Sequence, residues 1–240
     1  IRRRLGARGP GDPAAAARLL ALAYPDRIAQ RRPGPRPRHR LSGGKGARLD
    51  AADPLADAPL LVAADLDGDP REARIRLAAP LARAELETLA ADRIETVEVV
   101  AWDAREKAVA ARRERRLGAL VLDGAKIQPT PEALAAAMAE GVRALGLDAL
   151  PWTPAATRLR ARVARLRALD PAAPDWSDAG LLDALDLWLT PHLAGMRRAA
   201  DLVRIDGVAA LLGALDWETR ARLDRLFPES VETPAGPRRP

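Results

Sequence analysis

The stretch Leu19–Arg32, LLALAYPDRIAQRR, decides how this chain is divided. Leu19, Leu20, Leu22 and Ala23 give its front half the partly apolar face of a helix. Asp12 can cap that helix and Pro13 can begin it, because a helix start leaves its first N–H groups unpaired and proline has none to lose. Tyr24-Pro25-Asp26 then stops it, since a proline disfavours helical backbone at the residue before it. Asp26-Arg27-Ile28 could begin one further turn. Arg31 and Arg32 lead into Pro33, Pro35 and Pro37, which predict an extended connector. Residues 1–37 therefore read as the end of a helical element followed by a basic, proline-rich connector.

From residue 38 the period changes. Short β-like runs appear at Arg38–Leu41 with Ala47–Leu49, at Leu60–Leu66 and at Arg74–Leu77. Leu81–Ala90 is helical, with Leu81, Glu85, Leu86 and Leu89 at helical spacing. Strand-like runs return at Ile94–Trp102 and Val109–Leu122, joined as a hairpin around Asp103-Ala104-Arg105-Glu106-Lys107. Gly68 in Asp67-Gly68-Asp69-Pro70 marks the turn between the second and third strands. Strand, strand, strand, helix, strand, strand is the order of an OB-fold, a five-stranded barrel often used to hold oligonucleotides. Residues 38–128 are expected to form it.

Residues 129–240 are expected to be all-helical. Thr130-Pro131, Thr153-Pro154, Ser177-Asp178, Thr190-Pro191 and Asp206-Gly207 each place a capping oxygen before a helix-compatible run. Four apolar stripes follow, carried by Leu134/Met138/Val142/Leu145, Leu159/Val163/Leu166, Leu181/Leu182/Leu185/Leu189 and Leu211/Leu212/Leu215. Short helices with separate stripes pack as a bundle. The predicted fold class is α+β: a short helical N-terminal segment, a five-stranded OB-like β-barrel, then an all-α helical bundle.

Composition bounds the function. Hydrophobic residues reach 48% but aromatics only 3%, so alanine and leucine carry the core, which favours helix. The net charge of +6 is uneven: residues 1–48 carry +11, residues 49–128 carry −4 and residues 129–240 carry −1. A cationic arm on a near-neutral body suits an anionic partner, most often nucleic acid, although a solubilising tail gives the same count. No apolar stretch approaches the ~20 residues of a membrane span, and no secretion signal is visible. Without cysteine there is no disulfide or thiolate metal site, which fits a cytoplasmic setting. Ile1 in place of Met fits a piece of a longer protein, and Pro234–Pro240 reads as an untethered tail.

Catalytic constellations are hard to find. Ser42-Gly43-Gly44-Lys45-Gly46 fails the phosphate-loop pattern, which needs a further glycine upstream and Ser or Thr where Gly46 stands. No Asp-Glu-x-His box occurs. His39 and His192 lie apart without cysteines, against a zinc site. Ser42, Ser177 and Ser230 do not sit in a nucleophile elbow. Asp65, Asp67 and Asp69 flank a turn and read as solvated. No catalytic residue and no metal site is expected.

Binding candidates are clearer. The glycine run permits close backbone approach, and Lys45 and Arg48 could hold phosphate; it could equally be a tight turn inside a strand. On a strand over Val109–Arg116, Arg113 and Arg115 share one face, and Arg112, Glu114 and Arg116 share the other. Trp102 lies on the partner strand. An aromatic plane beside guanidinium groups suits stacked bases and phosphates; a buried Trp beside a solvated charged strand fits the same residues. Arg158, Arg162 and Arg165 recur at i, i+4 and i+7 beside an apolar stripe, as a phosphate-tracking ridge or a charged solvent face. Trp152, Trp176, Trp188 and Trp217 read as core anchors.

Several stretches resemble HrpB-type bacterial ATP-dependent helicases, relatives of the DEAH-box RNA helicases. They are Leu19–Arg32, Gly44–Leu49 (GKGARL), Ala73–Pro80 (ARIRLAAP), Leu147–Thr157, Trp188–Met196 (WLTPHLAGM) and Leu212–Val231. The resemblance implies that two RecA-like ATPase lobes, using ATP and Mg, stand upstream in the intact protein. It also implies that the barrel lies beside a channel for single-stranded RNA. Residues 129–240 would be part of a family-specific C-terminal region. The expected function is an accessory, non-catalytic region that grips single-stranded RNA, or DNA, while the missing lobes hydrolyse ATP. The competing expectation is a docking module with no RNA contacts of its own.

Overall fold

The structure is a computed structural model and describes residues 13–69, 71–233 and 236–239. Asp12, the expected cap of the first helix, lies outside them. The chain divides into two compact units, one of Ile1–Glu98 with Arg113–Lys126, the other of Val99–Arg112 with Ile127–Pro240.

The first unit is built on a closed five-stranded barrel. Helix α1 (Pro13–Ala23) ends at the expected Tyr24-Pro25 stop and precedes β1 (Ile28–Arg31), β2 (Arg38–Leu41), β3 (Gly46–Arg48), β4 (Leu60–Leu66) and β5 (Glu72–Pro80). The strand order around the barrel is β1-β2-β3-β5-β4, with β4 paired back to β1. All pairings are antiparallel except β3 with β5. Asp67 makes the β4–β5 turn by accepting from the backbone N–H groups of Asp69 and Arg74, and Gly68 supplies φ +80° there.

The barrel interior is lined by small residues, Ala29, Ala47 and Ala63, with Leu41, Leu49, Leu61 and Ile75. Their alternates, Ile28, Leu60, Val62 and Ala79, face a second core made with Ala17 and Ala21 of α1 and Leu86 of α2 (Arg83–Leu89). β1 and β4 are thus covered on both faces, and Leu60–Ala63 reads as a continuous apolar run for that reason.

An α+β fold with a short leading helix, a closed five-stranded barrel and a helical bundle is what the sequence predicted, but the barrel uses other strands. Ile28–Arg31, read as connector, is a barrel strand, and the first predicted strand is a hairpin of two. The runs at 94–102 and 109–122 do not close the barrel. They form a separate three-stranded sheet of β6 (Ile94–Asp103), β7 (Ala108–Leu117) and β8 (Leu120–Lys126), in the order β6-β7-β8. Gly118, at φ +54°, breaks the last run into β7 and β8. The barrel strands therefore lie between residues 28 and 80, not across 38–128. Period-2 alternation identifies a strand but not the sheet it joins.

The second unit holds the β6–β7 hairpin tip and the helices α3 (Pro131–Leu145), α4 (Pro154–Leu169), α5 (Asp178–Asp183), α6 (Leu185–Trp188), α7 (Gly207–Gly213) and α8 (Trp217–Leu226). Thr130, Thr153, Ser177 and Asp206 cap their helices as expected, each accepting from backbone N–H groups of the first turn. Thr190 does not. It sits in a 3-10 turn, Thr190–Leu193, and its hydroxyl donates back to the carbonyl of Leu185. Apart from Leu134, the four predicted stripes meet in one core with Trp176 and Trp188, and the Trp188 indole N–H donates to the Leu181 carbonyl. Trp217 is the exception among the expected anchors. It is 83% exposed at the first position of α8, whose one buried residue is Leu223. The expected C-terminal tail is also partly paired: β9 (Val231–Thr233) runs antiparallel to β10 (Gly236–Arg239).

Candidate nucleic-acid interface

Strand alternation on β2 turns His39 and Leu41 inward and leaves Arg38 and Arg40 exposed. Arg38 is directly opposite Arg48 on β3, and Arg48 is in register with Arg74 on β5. Three guanidinium groups therefore form a row across three adjacent strands. Like charges placed opposite one another destabilise a sheet. Two of the three are relieved: Arg38 pairs with Glu72 at 2.9 Å, and Arg74 with Asp50 at 3.3 Å. Arg48 has no ion pair among the described residues. Arg36 joins the row from the β1–β2 loop and, with Arg38 and Arg48, lines a surface cleft of about 390 Å³.

The charge of the row also acts on its neighbours. Asp67, at the adjoining β4–β5 turn, has its pKa lowered, first by the Arg74 N–H and then by the Asp69 N–H, with smaller contributions from Arg76 and Arg48. His39, beneath the row, is fully buried. Burial lowers its pKa, the carbonyls of Ala58 and Pro37 oppose that, and the Arg31 guanidinium lowers it further. Neither carbonyl is aligned well enough for a hydrogen bond, so both ring nitrogens are unpartnered.

Of the residues singled out from sequence, Lys45 and Arg48 bracket β3, Lys45 in the exposed β2–β3 turn. The glycine run forms that turn, with Gly44 at φ +94°, and Ser42 above it binds the Pro25 carbonyl and the Ala119 N–H. Arg113 and Arg115 lie on β7, outside the barrel, and are engaged: Arg113 with Glu98 at 2.8 Å, Arg115 with Glu87 and Asp123 at 3.1 Å each. Arg83 binds the same two carboxylates, so the four form a closed network. It lowers the pKa of Glu87, mainly through the hydrogen bond from Arg83.

Trp102 and Arg112 fall in the second unit. Arg112 is exposed. Trp102 is half-buried, its ring laid against Gly141 of α3 and its indole N–H without a partner. On α4, Arg162 is bound to Asp224, Glu229 and the Phe227 carbonyl, while Arg158 and Arg165 are exposed. Arg36, Arg38 and Arg74 were not among the sequence candidates. The alternation Arg38-His39-Arg40-Leu41 was the available signal, masked by the low-complexity Arg/Pro run before it.

Among the described residues no group of three or more His, Cys, Asp or Glu could hold a metal ion. No helix there is long and apolar enough to cross a membrane. A cationic barrel followed along the chain by a mainly helical unit is the class that fold and face define. Residues 93–124, which contain β6 and β7 and most of β8, match the family model described as "ATP-dependent RNA helicase HrpB, connector region". Residues 188–240 match "ATP-dependent helicase C-terminal". The chain is 36% identical over 249 residues to the ATP-dependent RNA helicase HrpB of Escherichia coli (strain K12), covering 98% of this chain and 30% of that protein. Two solved structures of the E. coli protein are also similar, titled as a DExH-box NTPase HrpB and a DEAH/RHA helicase HrpB. They share 36% and 31% identity, with TM-scores of 0.46 and 0.47, over 99% of this chain and 30% of theirs. The chain is homologous to the connector and C-terminal region of the HrpB DEAH-box helicases, and it spans about 30% of the length of that curated relative.

Proposed function

We propose that this chain is the accessory, RNA-gripping region of an ATP-dependent RNA helicase. The barrel holds single-stranded RNA by its phosphates, while RecA-like lobes elsewhere in the protein bind ATP and Mg and supply the motion. The carrying observation is the Arg38–Arg48–Arg74 row with Arg36 beside it. The strand order and the single parallel pairing support an OB-like barrel, in which the face of strands two and three and the adjoining loops bind oligonucleotides. Lys45 and Arg48 are the strongest of the sequence candidates because no carboxylate neutralises them among the described residues. Arg112 is available as well. Arg113 and Arg115 would have to release their carboxylates first. Trp102 would offer a base only the flank of its ring beside Ala133 and Ala137. The intact protein would act in the cytoplasm.

Fluorescence anisotropy with single-stranded RNA at two salt concentrations tests this. Saturable binding that weakens steeply with salt is expected; no saturable binding at low salt sinks the reading. The docking alternative draws on Trp217, Leu187 and Val203, large apolar side chains exposed on the helical unit. Association with isolated motor lobes, with no change in their RNA affinity, would favour it.

A further inference from the structure

On α4, Leu159, Val163 and Leu166 are buried, and the arginines at 158, 162 and 165 run along the flank beside them. Arg162 is only 12% exposed at its side chain and grips three acceptors. Its Nε donates to the Phe227 carbonyl at 2.6 Å, Nη2 to Asp224 at 2.7 Å and Nη1 to Glu229 at 3.1 Å. That clamp holds the segment after α8 over α4 and gives the cleft beside it a second wall. The cleft, about 500 Å³, has Arg158 and Arg165 on one side, Pro228 and Ser230 on the other, and Ala161 in its lining. Neither Arg158 nor Arg165 has a carboxylate partner among the described residues.

We propose that this cleft is a second phosphate site, separate from the barrel row, which takes a nucleoside phosphate. Arg162 has a positioning role, and Arg158 and Arg165 bind. Seven residues apart on a helix, the two lie about 10 Å apart along its axis, so their long side chains can close on one phosphate from both ends. Guanidinium forks match phosphate oxygens two at a time. The volume exceeds what a bare oxyanion needs and falls in the range of small-molecule sites. The apolar Ala155, Ala161 and Pro228 give a sugar somewhere to lie. Glu229 opposes an anion there, but it is spent on Arg162. The cleft does not depend on the barrel reading.

The test uses the whole chain, with Arg158→Gln/Arg165→Gln and, separately, Arg38→Gln/Arg48→Gln. Both pairs are exposed, and a thermal melt checks that each variant folds. The probes are AMP, read by NMR at the arginine Nε–Hε groups, and a single-stranded oligoadenylate, read by anisotropy. Saturable AMP shifts at Arg158 and Arg165, retained in the Arg38→Gln/Arg48→Gln protein, are expected. Arg158→Gln/Arg165→Gln should lower oligoadenylate affinity at least threefold and flatten its salt slope by about 1.4, or 0.7 per contact. AMP shifts without the oligonucleotide effect support a free-nucleotide source; the oligonucleotide effect supports a strand. The absence of both effects overturns the inference, and it leaves the barrel reading standing if Arg38→Gln/Arg48→Gln alone abolishes binding. A polyaspartate peptide that shifts these signals where AMP does not overturns it in favour of an acidic protein segment.

Discussion

Gly141 shows how one missing side chain positions another. A Cβ there would stand 2.5 Å from the Trp102 ring, closer than carbon atoms tolerate. Gly141→Ala must push the indole away, and overpacking of this kind costs about 1–3 kcal/mol. A lowered urea midpoint with an unchanged slope is the expected result. His39 carries a different cost. Its folded-state pKa lies below the ordinary 6.5, so the folded protein binds fewer protons than the unfolded chain once the pH drops under that value. Its unfavourable contribution is absent above about pH 6.5 and grows as the pH falls from there toward the folded pKa. Urea melts at pH 7.5 and 5.5 should show stability lost at the lower pH, and His39→Leu should flatten the difference. Burial of His39 was legible in the Arg38-His39-Arg40-Leu41 alternation. The pressure of Gly141 on Trp102 was not, because it joins residues 39 apart through a surface no local pattern encodes.

Among the elements, the β7–β8 turn tolerates no side chain at its glycine. Gly118 is in the left-handed region, and a Cβ would run into the Ser42 carbonyl, which also receives the Ala119 N–H. Gly118→Ala should cost at least about 1 kcal/mol for the backbone alone, and more for the overlap, again read from the urea midpoint. The helices were easier to place than the sheets. A capping oxygen and a 3.6-residue stripe are both local, so Thr130, Thr153, Ser177 and Asp206 announced their helices. β1 was hidden because only four residues form it. Ile28 and Ala29 point to different cores, leaving neither the alternation nor the length that marks a strand. The strands around Trp102 and Arg113 were found as strands, but sheet membership depends on partners far along the chain. The ion pairs of Arg113 and Arg115 were illegible for the same reason, since Glu98 meets Arg113, and Glu87 and Asp123 meet Arg115, only once the unit has folded.

At the scale of the whole chain, charge decides the expected behaviour. Within residues 1–48, Arg38, Arg40 and Arg48 stand on the outer face of β2 and β3, with Lys45 in the turn between them. Replacing Arg38 and Arg48 by Gln should weaken RNA binding for every sequence alike and reduce the salt slope by about 1.4, as loss of two phosphate contacts requires. A preference for particular bases that survives at high salt would contradict this. Sequence reading recovered the charge asymmetry and the residues at its edge, Lys45 and Arg48. It missed the row itself, because Arg74 joins Arg38 and Arg48 only through a parallel pairing between β3 and β5.

The first compact unit takes in residues 113–126 after the chain has left it, and Leu117, Leu120 and Leu122 are part of its outer core. Dissecting the protein just after the barrel would therefore strip three leucines from Ile28, Val62 and Leu86. A recombinant piece ending near residue 93 should aggregate or expose dye-binding surface, whereas one running through Lys126 brings those leucines with it.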